Sequence, residues 1–346
     1  MSIQLKQWLA FLGLAFLLLG CQKHEDLYTL TLKGGTMGTF YQIKVVAPKD
    51  KLPDGQTLQA LVDKELEQVN DEMSTYRPQS ELSLFNSQQT TQVVPISDHL
   101  RTVVTEALRI SGLTGGAFDI TVGPLVNLWG FGPTGRPDKV PSPEKLSAAE
   151  KEIGYHHLHL STEGWQKDIP GLYVDLSGIA KGYGVDRVAD LLKAQGFHNF
   201  LVNVGGELRQ QGHNDQNEPW RVAVEKPRYN GSQAVERIVT PGDRAIATSG
   251  DYRNYFEENG IRYSHEIDPK TGHPIQNRVV SASVIADNCM TADGFATAFM
   301  VMGRKASIDF ATAHKMAVMI IEKTDEGYAE FYTPEFKQYL VKKAAS

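Results

Sequence analysis

The chain has 346 residues and a formal net charge of −6, with 41% apolar and 22% charged residues. That length is ample for a large core, in one big domain or two intimately packed ones, and the composition is that of a folded globular protein. No basic block or aromatic–basic stripe stands out, which disfavours nucleic-acid binding, since that rests on clustered Lys and Arg. An acidic chain that handles an anionic ligand must supply positive charge locally, through a metal ion, a helix N-terminus or a few placed lysines.

Residues 1–20 read as a targeting segment. Lys6 gives a positive start, and the apolar run from Trp8 to Leu19 is too short to cross roughly 30 Å of hydrocarbon as a helix but fits a signal-peptide core. Leu18-Leu19-Gly20-Cys21 resembles a bacterial lipobox, so Cys21 is the expected lipidation site; the alternative is an ordinary secretory signal with a chance Cys. Cys289 is the second of the two cysteines, so lipidation of Cys21 leaves no intramolecular disulfide. The expected organisation is a signal peptide over 1–20, a polar tether over 21–30 and a folded domain over 31–346.

Tyr41–Val46 alternates like a strand, and Pro48 to Gly55 breaks it. Leu58, Leu61, Val62, Leu66, Val69 and Met73 recur at helical spacing and predict a helix over 57–74; Ser97 caps a second helix that Gly112 ends. Residues 130–150, rich in Pro, Gly and charge, read as a linker or surface excursion. Strands follow at Leu172–Leu176, Phe200–Val204, Trp220–Glu225, Ile238–Thr240, Ala245–Thr248, Ile261–Ile267 and Val279–Ala286. Helices are expected at Gly178–Ala194 and Met290–Met302, and a hairpin joins Ala317–Glu322 to Ala329–Thr333. Strands and helices mix without the alternation of a doubly wound sheet, so the fold class is α+β, with mixed sheets and packed helices.

Three segments carry chemistry. In Tyr173 to Asp186 (YVDLSGIAKGYGVD) a strand ends in Asp175, Ser177 can cap the next helix, and that helix opens on Gly178, where free N–H groups and the helix dipole favour phosphate. Lys181 adds a full charge in the first turn; the alternative is that Gly178, Gly182 and Gly184 only permit close packing. In Met290 to Ala298 (MTADGFATA), Asp293 and Thr297 stand four apart on one helical face of an otherwise apolar helix. Their hard oxygens suit Mg2+ completed by water and phosphate, the alternative being a solvated Asp and a Thr bonded to its own helix. In Ser264 to Pro274 (SHEIDPKTGHP), His265 and Ile267 share one strand face before a turn; His265 is a candidate proton acceptor or simply a turn-flanking residue.

With these segments in place the chain resembles the ApbE family of FAD:protein FMN transferases. The resemblance is carried, in family order, by Met37-Gly38-Thr39, Ser74-Thr75-Tyr76, Gly116-Ala117-Phe118-Asp119, Asp175 to Asp186, Thr248 to Tyr252, His265 to Gly272 and Met290 to Thr297. It implies a T-fold-related architecture of two packed subdomains. It implies that Met37, Tyr76, Ala117, Phe118, Asp119, Asp175, Lys181 and Ile267 contact FAD, and that the Gly178 carbonyl joins Asp293 and Thr297 around Mg2+. Ala or Gly variants are commoner in the family near 177–178, a departure of little weight if a carbonyl is the ligand.

The implied reaction moves the FMN half of FAD to a Thr or Ser hydroxyl, in a motif like Asp-Gly-x-Ser/Thr-Gly-Ala-Ser/Thr, and releases AMP. Asp175, Lys181 and His265 are the expected catalytic side chains, with the base either His265 or a nearby carboxylate. Expected acceptors are subunits of membrane redox complexes such as sodium-pumping NADH:quinone oxidoreductase, which places the lipid-anchored enzyme on the periplasmic side of the inner membrane. Two other readings stay open at this point: an FAD pyrophosphatase using the same site, and a non-catalytic flavin-binding lipoprotein, against which the Asp293–Thr297 pair argues. A nicotinamide dehydrogenase is disfavoured because no GxGxxG follows an early strand.

Overall fold

The computed structural model describes residues 26–133, 140–225, 235–251, 255–258 and 261–341. The leader with Cys21, residues 134–139 of the Pro/Gly-rich stretch and Tyr252 lie outside them.

One antiparallel sheet of eight strands organises the domain, and its spatial order follows the chain. The strands are β1 (Leu27–Thr36), β2 (Thr39–Pro48), β3 (Phe200–Val204), β4 (Glu207–Gln211), β5 (Ala245–Gly250), β6 (Val279–Ala286), β7 (Ala317–Thr324) and β8 (Gly327–Tyr332). Side-chain alternation decides which face is which. In β2, Tyr41, Ile43 and Val45 enter the main core, while Gln42 and Lys44 face a cavity on the other side. In β7, Val318 and Ile320 enter that core, and Ala317, Met319 and Ile321 enter a second core on the opposite face. A strand covered on both faces reads as a mostly apolar run, as Ala317–Ile321 of β7 does, while β6 is apolar apart from the buried Ser281 and Ser283.

Helices α1 (Gly55–Met73), α2 (Asp98–Leu113), α3 (Ala180–Ala194), α4 (Cys289–Met302) and α5 (Arg304–Ala313) cover the first face. Asp54, Ser97 and Asn288 cap α1, α2 and α4 by accepting the N–H groups of Thr57, Leu100 and Thr291. The opposite face is covered by the hairpin Val222–Glu225/Val235–Val239 and by Phe336 of the short helix Pro334–Lys337. A third cluster around Leu125, Trp129, Leu146, Phe256 and Ile267 walls the cavity at one end. There, Trp129 Nε1 donates to the Gly272 carbonyl at 2.8 Å and ties the Asp268–Gly272 turn in place. No helix among the described residues is long and apolar enough to cross a membrane.

Several sequence expectations are corrected. β1 begins at Leu27, inside the stretch read as a tether, because pairing with β2 carries back to Leu27↔Pro48. The 130–150 excursion contains a helix, Pro143–Ala149, capped by Ser142. Ile261–Ile267 divides into Ile261–Ser264 and Ile267–Asp268, which pair with different partners. Leu172–Leu176 joins no sheet, although its residues alternate between buried and part-buried as a strand's would. α3 begins at Ala180, and Ser177 does not cap it: Ile179 occupies the cap position with no side-chain bond, while the Ser177 hydroxyl donates to Asp175.

Candidate active site

The site forms where α3 meets α4. Gly182 permits the contact, since a Cβ there would lie 2.4 Å from the Cys289 carbonyl oxygen and 2.8 Å from Asp293 Cβ. Asp186, buried on α3, then reaches across to the start of α4. Its carboxylate accepts the N–H groups of Cys289 at 2.9 Å and Met290 at 2.8 Å, and Arg209 pairs with it at 2.8 Å. Burial pushes the Asp186 carboxyl up, opposed by those two N–H groups and the Arg209 charge. Two helices more than a hundred residues apart in sequence are thereby locked with Lys181 and Asp293 side by side.

Asp293 is 2% exposed. Its Oδ2 accepts the Gly182 N–H at 2.9 Å, and its Oδ1 stands 3.7 Å from Lys181 Nζ. Lys181 also pairs with Glu207 of β4. Burial alone would depress the lysine, but Asp293 and Glu207 outweigh it and hold the ammonium above its ordinary range. Glu207 shows the reverse: burial pushes its carboxyl up to about 7 against the pull of Lys181. One Glu207 oxygen, Oε2, is buried with no hydrogen-bond partner.

One turn along α4, Thr297 Oγ1 lies 3.5 Å from the Gly178 carbonyl oxygen and 3.3 Å from Ser249 Oγ of β5. The Asp293 carboxylate, Thr297 hydroxyl and Gly178 carbonyl are all hard oxygen donors. Among the described residues no three His, Cys, Asp or Glu side chains gather as a metal cage. A single carboxylate with neutral oxygens is the donor set of a cation that keeps several waters and a substrate phosphate.

These groups open into a cavity of about 670 Å3 that runs from the α3–α4 junction to the outer face of β2 and β3. Tyr76, Ala117, Phe118, Asp119, Asp175, Gly178, Lys181, His265, Ile267, Asp293 and Thr297 all line it, so most of the residues expected from sequence come together. Tyr76 is 66% exposed at the rim, a ring open to stacking. Asp119 is buried, and its carboxylate is engaged by the Thr121 N–H and hydroxyl and the Tyr155 N–H. Its side chain therefore shapes the wall. His265 Nε2 lies 3.4 Å from Glu266 Oε1. Met37 is the exception: it sits on the β1–β2 turn with its methyl against Gly184 and does not line the cavity.

Sequence reading missed Glu207, and it quoted Glu266 and Ser249 only within longer segments, without assigning either a role by itself. Glu207 had a usable signal. Gly205-Gly206 follows a clear strand, and both have positive φ, 63° and 109°, as the centre of a two-residue hairpin requires. Reading that turn would have produced β4 and its first residue, an acid facing the cavity.

The model of the ApbE family matches residues 37–320. The FAD:protein FMN transferase of Vibrio cholerae is 52% identical over 338 residues, covering 98% of this chain and all of that protein. The solved flavin transferase ApbE from Vibrio cholerae superposes with a TM-score of 0.85 at 51% identity, over 91% of this chain and 100% of that one. The apo form of Pseudomonas stutzeri flavinyl transferase ApbE gives 0.84 at 36% identity, over 92% and 98%. On these matches, the chain belongs to the ApbE family.

Proposed function

We propose that this protein is an FAD:protein FMN transferase that moves the FMN half of FAD to a Thr or Ser hydroxyl of an acceptor protein and releases AMP. The observation that carries this reading is the convergence of Lys181, Asp293, Thr297 and the Gly178 carbonyl at one end of a cavity lined by Tyr76, Phe118 and Ile267. A cationic, oxygen-rich end suits a pyrophosphate, and an aromatic and aliphatic remainder suits planar rings. Asp293, Thr297 and Gly178 would hold Mg2+, which when bound neutralises the pyrophosphate and polarises its phosphorus.

The protein's own groups account for the rest. Lys181 is held charged by two buried carboxylates and balances charge on the leaving phosphate. His265 takes the proton of the acceptor hydroxyl, with Glu266 beside it to stabilise the imidazolium. The acceptor O–P bond forms as the P–O bond to AMP breaks. The acceptor class is the flavin-carrying subunits of membrane redox complexes such as sodium-pumping NADH:quinone oxidoreductase. A lipid on Cys21 would hold the enzyme at the periplasmic face of the inner membrane, close to them.

The test is intact mass of a candidate acceptor after incubation with this protein, FAD and Mg2+. The expected result is a gain of one FMN residue with equimolar AMP. Free FMN appearing at one rate with and without acceptor would instead make the enzyme an FAD pyrophosphatase. For the anchor, Cys21→Ser should move the protein to the soluble fraction or block its processing; unchanged detergent-dependent membrane association would exclude lipidation at Cys21.

A further inference from the structure

Among the described residues, no strand pairs with the segment that delivers Asp175 and Gly178 to the cavity. Leu172, Val174 and Leu176 are each 0% exposed, and buried backbone groups must find partners. Val174 finds both of its partners on one side chain. Its N–H donates to Asn86 Oδ1 at 2.8 Å, and its carbonyl accepts from Asn86 Nδ2 at 2.8 Å, across 88 residues of sequence. A carboxamide presents a donor and an acceptor side by side and so stands in for one residue of a neighbouring strand. Asn86 is 9% exposed, near the end of the helix Glu81–Ser87. The contacts on either side are simpler: Asp175 N–H donates to the Ile120 carbonyl at 2.7 Å, and Nζ of the buried Lys167 donates to the carbonyls of Leu172 and Phe85 at 3.2 and 3.3 Å.

We propose that Asn86 is a positioning residue for substrate binding: its carboxamide fixes the register of residues 172–178 and thereby sets Asp175 and the Gly178 carbonyl at the cavity. The proposal rests on FAD being the substrate. Without the amide, both polar groups of Val174 lose their partners inside the core, and the segment gains a reason to move toward water. Asp175 is one residue away and Gly178 four, so displacement reaches both.

The variants are Asn86→Ala and the isosteric Asn86→Asp, which keeps an acceptor for Val174 N–H and, when ionised, turns an anionic oxygen toward the Val174 carbonyl in place of the donor. Transfer is measured against FAD and against Mg2+, and amide exchange is followed at Val174. In Asn86→Ala, KM for FAD and the half-saturating Mg2+ should each rise about tenfold, and Val174 exchange should accelerate at least tenfold. Asn86→Asp regains the donor toward the Val174 carbonyl only when its carboxyl is protonated, so its KM and Val174 exchange should approach wild type at low pH and worsen as pH rises, and it carries the test if Asn86→Ala does not fold. A fall in folded, active enzyme with KM and Mg2+ dependence unchanged would reduce Asn86 to a structural residue and overturn the proposal. So would rapid Val174 exchange in the wild type, a readout independent of FAD. Wild-type protein that transfers no FMN while Val174 is protected through Asn86 would instead sink the transferase reading alone.

Discussion

The two oxygens of Asp293 have separate tasks. Oδ2 is fixed by the Gly182 N–H, and Oδ1 is directed toward Lys181 and the cavity. Removing the carboxylate removes a formal charge from the proposed Mg2+ site, to which Thr297 would contribute a neutral oxygen that water can replace. Asp293→Ala should therefore lower transfer by a hundredfold or more, about 2.7 kcal/mol or more at 1.36 kcal/mol per factor of ten. Thr297→Ala should cost roughly tenfold and be rescued in part by excess Mg2+. Rates against Mg2+ concentration, with EDTA as the zero point, check both, and full activity of Asp293→Ala in EDTA would remove the metal from the mechanism. Glu207 makes a second prediction at this scale. Its folded pKa of about 7 lies above its ordinary 4.5, so folding favours its protonated form. That contribution is complete below about 4.5 and is lost as pH rises through about 7. Metal-free protein should lose melting temperature over that window, and Glu207→Gln should flatten the loss; parallel curves for the two proteins would refute the assignment.

Among the elements, the α3–α4 contact is the most sensitive to a single methyl. Gly182→Ala places a Cβ against the Cys289 carbonyl, a backbone atom that cannot swing away. The helices must separate by several tenths of an ångström, at a cost of about 1–3 kcal/mol. Melting temperature should fall, and transfer should fall further than the folded fraction, because Lys181 and Asp293 move apart; Gly196→Ala, where no neighbour is within 4 Å but φ is +85°, should destabilise without that extra loss. Which elements sequence could reveal follows from where their information lies. α1, α2, β3 and β6 were legible because burial repeats locally, every third or fourth residue in one case and continuously or alternately in the other. β4 was lost because its buried positions, Glu207 and Gln210, are polar, so no apolar pattern marks it. Leu172–Leu176 has a strand's alternation, but its partner is the Asn86 side chain, and no local pattern encodes that. The closeness of Asp293 and Thr297 at the cavity was legible because they share one helix, and the place of Glu207 was not, because it depends on Lys181 arriving from another element.

At the scale of the whole molecule, the cavity is bounded by parts of the chain that meet only in the folded state: β2 and β3, the 172–178 segment, the 264–269 turn and α4. A ligand that touches all of them has no comparable site in the unfolded chain, so its binding adds to global stability as RT ln(1 + [L]/Kd), about 2.7 kcal/mol at a hundredfold excess over Kd. At roughly 2–4 °C per kcal/mol for chains of 150–250 residues, and less for longer ones, the expected rise in melting temperature is about 5 °C. The metal and the flavin nucleotide should not act independently. On the proposed reading, a cation held by Gly178, Asp293 and Thr297 would still need oxygens from water and phosphate, so each ligand would complete the other's site. FAD with Mg2+ should therefore raise the melting temperature by more than the sum of the two separate shifts. EDTA should return the FAD shift to its metal-free value, and Asp293→Ala should show that lower value at any Mg2+ concentration. Thermal unfolding of wild type and Asp293→Ala under the four ligand conditions measures this directly. Strictly additive shifts would mean that the cation and the pyrophosphate occupy separate places, and the shared site at the α3–α4 junction would have to be abandoned.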